Sequence, residues 1–135
     1  MIYGAYVEAH RWMGTPFIWS EDDCMVALAN YLVRLGYIDI AAKWRGTYDS
    51  AYTCNRASGF LTDPVKPLAE GVAMIPLVAT DAPERGDIGV IKFEGQRPTG
   101  ALYLGKNWAV RGERMVHVGP AQIVLAAWEV PRARA

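Results

Sequence analysis

Pro16-Phe17-Ile18-Trp19-Ser20-Glu21-Asp22-Asp23-Cys24 is the stretch on which the reading of this chain turns. Pro16 disfavours helix in the residue before it, so Thr15 to Trp19 is expected to be extended. Ser20 then reads as a helix cap. Asp23, three residues later, completes a capping box, and Glu21 and Asp22 place negative charge in the first turn. Cys24, Leu28, Leu32 and Leu35 form the buried stripe of that helix, and Gly36 ends it. The stretch thereby sets a cysteine at a helix start, where unpaired N–H groups and the helix dipole favour a thiolate. A papain-type hydrolase uses a thiolate so placed as its nucleophile. The same position also suits a small buried side chain with no chemistry. Like charge on Asp22 and Asp23 opposes ionisation unless these carboxylates point away.

Outward from this stretch the first half reads helical. Ile2, Ala5, Tyr6, Ala9, Trp12 and Met13 recur at helical spacing, and Gly14 is placed to end their helix in a left-handed cap. Ser50 to Ser58 reads as a third short helix stopped by Gly59, and Pro64 as the first residue of another. After Pro83 the period changes to that of strands. Asp87–Phe93, Thr99–Leu104, Trp108–Arg111, Met115–Val118 and Ala127–Val130 are the expected strands, separated by turn residues such as Gly105-Lys106-Asn107 and Gly119-Pro120. Helices first and a strand meander afterwards predict an α+β protein, with N-terminal helices packed on a C-terminal antiparallel β-meander. With no linker, repeat or low-complexity segment, residues 1–135 read as a single domain.

The composition narrows the function. The chain has 135 residues, 52% hydrophobic and 21% charged, which excludes a disordered segment. Fourteen Lys and Arg balance fourteen Asp and Glu, whereas a protein that neutralises phosphates needs a basic excess, so nucleic acid is not an expected partner. The apolar run Gly71–Ala79 contains Pro76 and falls far short of the roughly 20 residues that span a bilayer, so no membrane span is expected. The first fourteen residues lack the uninterrupted apolar core of a signal peptide, and synthesis in the bacterial cytoplasm is expected, with Cys24 and Cys54 as thiols. A Cys24–Cys54 bridge remains conceivable in an oxidising medium. No zinc-ligand spacing or phosphate-binding loop is present, so neither metal nor cofactor is expected. Five Trp, seven Tyr and three Phe supply both core volume and interface anchors. Trp12, Trp19 and Trp128 read as core. Trp108 also does, although its place beside Lys106-Asn107 makes it the best exposed anchor.

Trp19 ahead of Asp23-Cys24, then Arg85-Gly86-Asp87-Ile88-Gly89-Val90-Ile91, then Gly100-Ala101-Leu102-Tyr103-Leu104-Gly105, resembles the NlpC-type cysteine peptidases. These are papain-like hydrolases of peptide bonds in peptidoglycan stems. With Trp44-Arg45-Gly46, Tyr48 and the final Ala127-Trp128-Glu129-Val130, the chain is similar to a small, poorly characterised branch whose members occur among phage and prophage tail genes. The resemblance runs from Pro16 to Val130. It implies a papain-like fold, Cys24 as nucleophile, and Trp19 and Asp23 as supports of the cleft. It also implies other phage tail proteins or peptidoglycan peptides as partners, and the virion tail as final location.

One departure from that pattern decides the expected activity. Where the family carries its general-base histidine, this chain has Thr99, and a threonine hydroxyl cannot serve as a base near neutral pH. The third, orienting residue falls near Val110 or Arg111. Neither of the two histidines is well placed: His117 belongs two strands away, and His10 reaches the cleft only if its helix crosses the site. Arg45 is expected to pair with Asp39 or Asp49, and Arg85-Gly86-Asp87 to form a turn into the first strand. The expected function is therefore a tail-tip component with a degenerate peptidase fold. The alternatives are an active peptidoglycan-degrading cysteine peptidase and a thiol-dependent acyl transferase.

Overall fold

The computed structural model of the chain describes residues 4–134, so Ile2 lies outside the described residues. Four helices precede five strands: α1 (Ala5–Gly14), α2 (Val26–Arg34), α3 (Ala51–Ser58), α4 (Val65–Ala73), β1 (Ile88–Lys92), β2 (Thr99–Tyr103), β3 (Trp108–Arg111), β4 (Val116–Gly119) and β5 (Ile123–Trp128). A short 3₁₀ turn follows at Pro131–Arg134. The protein is thus α+β with an antiparallel sheet. Among the described residues, no helix is long and apolar enough to cross a membrane.

Helix α2 is the central one, because Val26, Ala27, Leu28, Ala29, Tyr31 and Leu32 are all buried. Side chains that leave water so completely stabilise the fold by about 1.5–3 kcal/mol for each large aliphatic residue. The buried Tyr31 phenol needs a partner and donates to the Gly86 carbonyl at 2.7 Å. Gly36 closes the helix with φ +95°, as the sequence suggests. Helix α3 also starts and stops as expected. Ser50 and Thr53 form a reciprocal capping box, and Gly59 adopts φ 71°.

Helix α1 ends differently from the expectation. Gly14 is its last helical residue and is not left-handed; Thr15 instead turns extended, with φ −125° and ψ 150°. Pro16 imposes that conformation on Thr15 sterically, so the helix needs no glycine cap. Glu8 on α1 is fully buried, and it accepts from Trp12 Nε1, from Arg11 at 2.9 Å and from Arg34 at 3.0 Å.

Strands β1 to β4 form the expected meander, but β5 does not continue it. The strand order is β4-β3-β2-β1-β5, and β5 pairs antiparallel with the free edge of β1, with a bulge between Val90 and Ile91. It also starts earlier than Ala127, at Ile123. Its far end is covered in turn, since Thr80 N–H donates to the Ala127 carbonyl and Glu129 N–H to that of Val78.

This order forces the sheet to curl. Only residues 120–122 separate β4 from β5, although the two are opposite edges. Four Cα–Cα steps reach at most ~14 Å, whereas a flat five-stranded sheet sets its edges ~19 Å apart. The curl produces two cores. Ile88, Val90, Leu102 and Trp128 pack with the helices. Ile91, Ala101, Trp108, Val110 and Ala127 form a second cluster to which no helix contributes, so the sheet itself shields it. Trp108 belongs to this inner cluster and is not an exposed anchor. Its ring lies over Gly89, where a Cβ would sit 3.1 Å from the indole and 2.5 Å from the Ala126 carbonyl oxygen.

Candidate functional site

The stretch before Cys24 does not form the expected capping box. Ile18 and Asp22 pair as an isolated bridge, and Ser20, at the turn between them, takes φ 67°. Left-handed backbone is costly for a residue with a Cβ, so it persists only where the surroundings over-determine it. Here the Ser20 N–H donates to the Asp23 carboxylate at 2.8 Å, and the Ser20 Oγ accepts from the Gly46 N–H at 3.1 Å. Asp23, rather than Ser20, caps α2. Its carboxylate accepts from Met25 N–H at 2.9 Å and Val26 N–H at 2.7 Å, and its carbonyl takes the first helical bond from Ala27. Cys24 therefore stands directly after the cap, at the head of the helix.

The segment 44–48 braces this loop from below. Tyr48 donates its phenol hydrogen to the Asp23 carboxylate, and both residues are buried. Of the two expected partners, Arg45 pairs with Asp39, at 2.7 Å, and also donates to Asn30. Asn30 in turn donates to the Glu21 carbonyl, so the loop is tied to α2 and to 39–48 at once. Trp19 is half-buried over Tyr48 and under Phe17, with ring centroids 6.4 Å and 4.8 Å away. Trp19 and Asp23 thus brace the loop that leads to Cys24.

Strand β2 meets the head of α2 at Gly100. A Cβ there would lie 2.9 Å from the Leu28 Cδ1 and 3.1 Å from the Cys24 carbonyl oxygen, so the absence of a side chain eases this approach. The approach brings Thr99 beside Cys24, where its hydroxyl favours the charged form of the sulfur. Burial pushes the Cys24 thiol well above its ordinary value. The Asp23 carboxylate and Cys54 add to the rise, and the Cys24 backbone N–H and Thr99 oppose it. Cys24 as a residue is half-buried, and these influences together favour its neutral thiol. Cys54, on α3, is also raised, by burial and then by Asp23. Tyr48 is pushed up by its own burial and by Asp23. Both cysteines are free thiols.

Neither histidine is among the groups that act on the Cys24 thiol. His10 is exposed on α1. His117 is half-buried on β4 opposite Val110, so two strand spacings, roughly 10 Å, separate it from β2. Val110 lies in the inner cluster of the sheet and does not face the thiol group. Among the described residues, no group of three or more His, Cys, Asp or Glu is arranged to hold a metal. A cavity of about 340 Å³ lies between the end of α1 and the β3–β4 turn, but Cys24 and Thr99 do not line it.

Residues 3–130 match a family described as a domain of unknown function, DUF6950. The chain belongs to the DUF6950 family. No curated protein matches it, and neither does any solved structure.

Arg111, which the sequence places near the slot of the orienting residue, has a different role in this DUF6950 protein, one that its sequence position does not disclose. It is buried on β3, and its guanidinium donates to the carbonyls of Trp12 (2.8 Å), Thr15 (3.1 Å), Pro16 (2.6 Å) and Asp22 (3.0 Å). A cation among the last carbonyls of α1 satisfies acceptors that a helix leaves open and opposes the helix dipole. Asp22 completes the set as an ion pair at 3.3 Å. Burial lowers the Arg111 pKa, and the Asp22 carboxylate opposes that. One side chain thus fixes the end of α1 and the turn before Cys24 against the sheet. The one available signal was an arginine inside an otherwise apolar strand, Trp108-Ala109-Val110-Arg111. The DUF6950 match ends at Val130, where the expected Arg85-Gly86-Asp87 turn is closed by a bond from the Val130 N–H to Asp87 at 2.9 Å.

Proposed function

We propose that this protein is a structural or accessory component of a phage-type tail tip, built on a papain-like, NlpC-type fold whose hydrolytic site is degenerate. One observation carries the reading: β2 meets Cys24 at the head of α2 with Thr99 where a cysteine hydrolase presents an imidazole, and burial and Asp23 favour the neutral thiol. Cysteine hydrolases require the opposite, a thiolate held by a neighbouring imidazole. The helix-head cysteine, its cap and the strand that meets it are retained, which is what a lost activity on a kept scaffold looks like. The even charge balance suits a part held among other proteins, since it sets up no long-range repulsion. Other tail proteins are its proposed partners, and the virion tail its proposed location.

The experiment has two arms. The protein should copurify with tail particles of its phage or prophage at a fixed stoichiometry, and Cys24→Ala should leave infectivity intact. Purified wild-type chain should release no stem peptides from cell wall. Release that disappears in Cys24→Ala would overturn the reading in favour of an active peptidoglycan peptidase.

A further inference from the structure

Strand β5 is closed on its outer side at Ala127 and Trp128 and open over the residues before them. At the closed end Ala79 bridges Trp128, and the Thr80 N–H donates to the Ala127 carbonyl at 2.9 Å. The chain then turns away, held by a bond from the Ala82 N–H to the Thr80 hydroxyl at 3.1 Å. Among the described residues, no strand continues this pairing along 123–126. An open groove of about 620 Å³ lies beside the departure, lined by Asp81, Leu125 and Ala126 among others.

The open part is apolar. A strand on a core buries every second side chain, yet Ile123, Val124 and Leu125 are all exposed. Val90 pairs with Ala126 and Ile91 with Val124, so Leu125 is the extra residue of the bulge and breaks the alternation. Residues 120–128 carry no charge. Charged side chains commonly guard an edge, because its free N–H and C=O groups recruit another strand. Here the charges stand at the two ends of the open window. Asp81 lies at the Ala126 end. Lys92 lies opposite Ile123 at the other end and donates to the Gln122 side chain at 2.8 Å. Among the described residues, neither Asp81 nor Lys92 has an ion-pair partner.

We propose that residues 123–126 form a homodimer interface, in which β5 pairs antiparallel with β5 of a second copy about a twofold axis. The window fits its own strand. With Ile123 opposite Ala126 of the second copy, Gln122 would meet Ala127, whose outward carbonyl Thr80 already holds. The chain bends at Gln122, so each strand leaves where the window closes. The same register sets Asp81 of each copy beside Lys92 of the other and joins charges that are single in the monomer. Between these ends an uncharged run meets an uncharged run. A contact of so few residues a side is small, so association in the micromolar range is expected. The interface does not rest on the function proposed for the Cys24 region.

Sedimentation of the full chain over a range of concentrations should show a monomer–dimer equilibrium. Val124→Lys puts a charge into the window and should weaken that equilibrium by about tenfold or more. Asp81→Lys and Lys92→Glu should each weaken it alone, because like charges then face each other at both ends. Mixed in equal amounts, these two variants should form a mixed dimer of about wild-type affinity, since both opposite-charge pairs are restored in it. A wild-type chain still monomeric at about 1 mM would overturn the proposal and leave the edge to an extended segment of another protein. A dimer untouched by Val124→Lys would overturn it too. So would a mixture no more associated than its components, a result that needs no substitution within β5.

Discussion

Replacing Asp23 with alanine tests the account of the loop that presents Cys24. Its buried carboxylate takes hydrogen bonds from Ser20, Met25 and Val26 N–H and from the Tyr48 hydroxyl. Loss of the cap alone costs about 1 kcal/mol. The Ser20 amide and the Tyr48 phenol are then buried donors without an acceptor, at about 1–3 kcal/mol each. Part of this is returned, because a buried anion is removed as well. The expected net loss is about 3 kcal/mol, which lowers the urea midpoint by about 2 M at a denaturant slope near 1.5 kcal/mol per molar. Asp23→Asn keeps one acceptor oxygen and should lose about 1 kcal/mol. Tyr48→Phe removes one bond and should lose a similar amount. In the double variant Asp23→Ala, Tyr48→Phe the two losses should fall short of additive, since one bond is counted in both. Urea unfolding followed by tryptophan fluorescence reads all four variants. An Asp23→Ala midpoint within about 0.5 M of wild type, or an asparagine variant as unstable as the alanine one, would refute the hub role.

Two further outcomes follow from the geometry. Because burial and Asp23 raise the Cys24 pKa, its alkylation by iodoacetamide at pH 7 should be about 100-fold slower than that of a free thiol. The rate should still be climbing above pH 9, where a free thiol levels off, because the raised pKa moves thiolate formation upward; a plateau already reached below pH 7 would indicate an imidazole-stabilised thiolate and contradict the site described. Gly89→Ala should cost about 1–3 kcal/mol, since its Cβ meets the Ala126 carbonyl oxygen at 2.5 Å and the Trp108 ring at 3.1 Å. Thermal unfolding reads this directly, and an unchanged midpoint would show that Trp108 does not lie over β1.

The sequence made legible those features that local chemistry decides. Ser50, Thr53 and Gly59 delimit α3 because capping groups and a left-handed glycine act within a few residues. Thr99 stands where the resemblance implies a base, and Gly100 gives a physical reason why β2 and the head of α2 meet there. What stayed hidden depends on partners far along the chain. Ser20 has every local credential of a cap, yet Gly46 and Asp23 draw it into a left-handed turn, and Asp23 takes over its role. Arg111 spends its donors on residues almost a hundred positions away, which no periodicity reports. The pairing of β5 with β1, across the sheet from β4, is likewise a long-range contact.

The short link between β4 and β5 has a consequence for how the sheet opens. Edge strands ordinarily fray one at a time, each with its own low opening energy. Here residues 120–122 tether the two edges to one another across the curl. Releasing either edge slackens the tether on the other and uncovers Trp108 and Ile91 inside. Hydrogen exchange in β4 and β5 should therefore report a single shared unit, with amides at opposite margins of the sheet protected to a common degree.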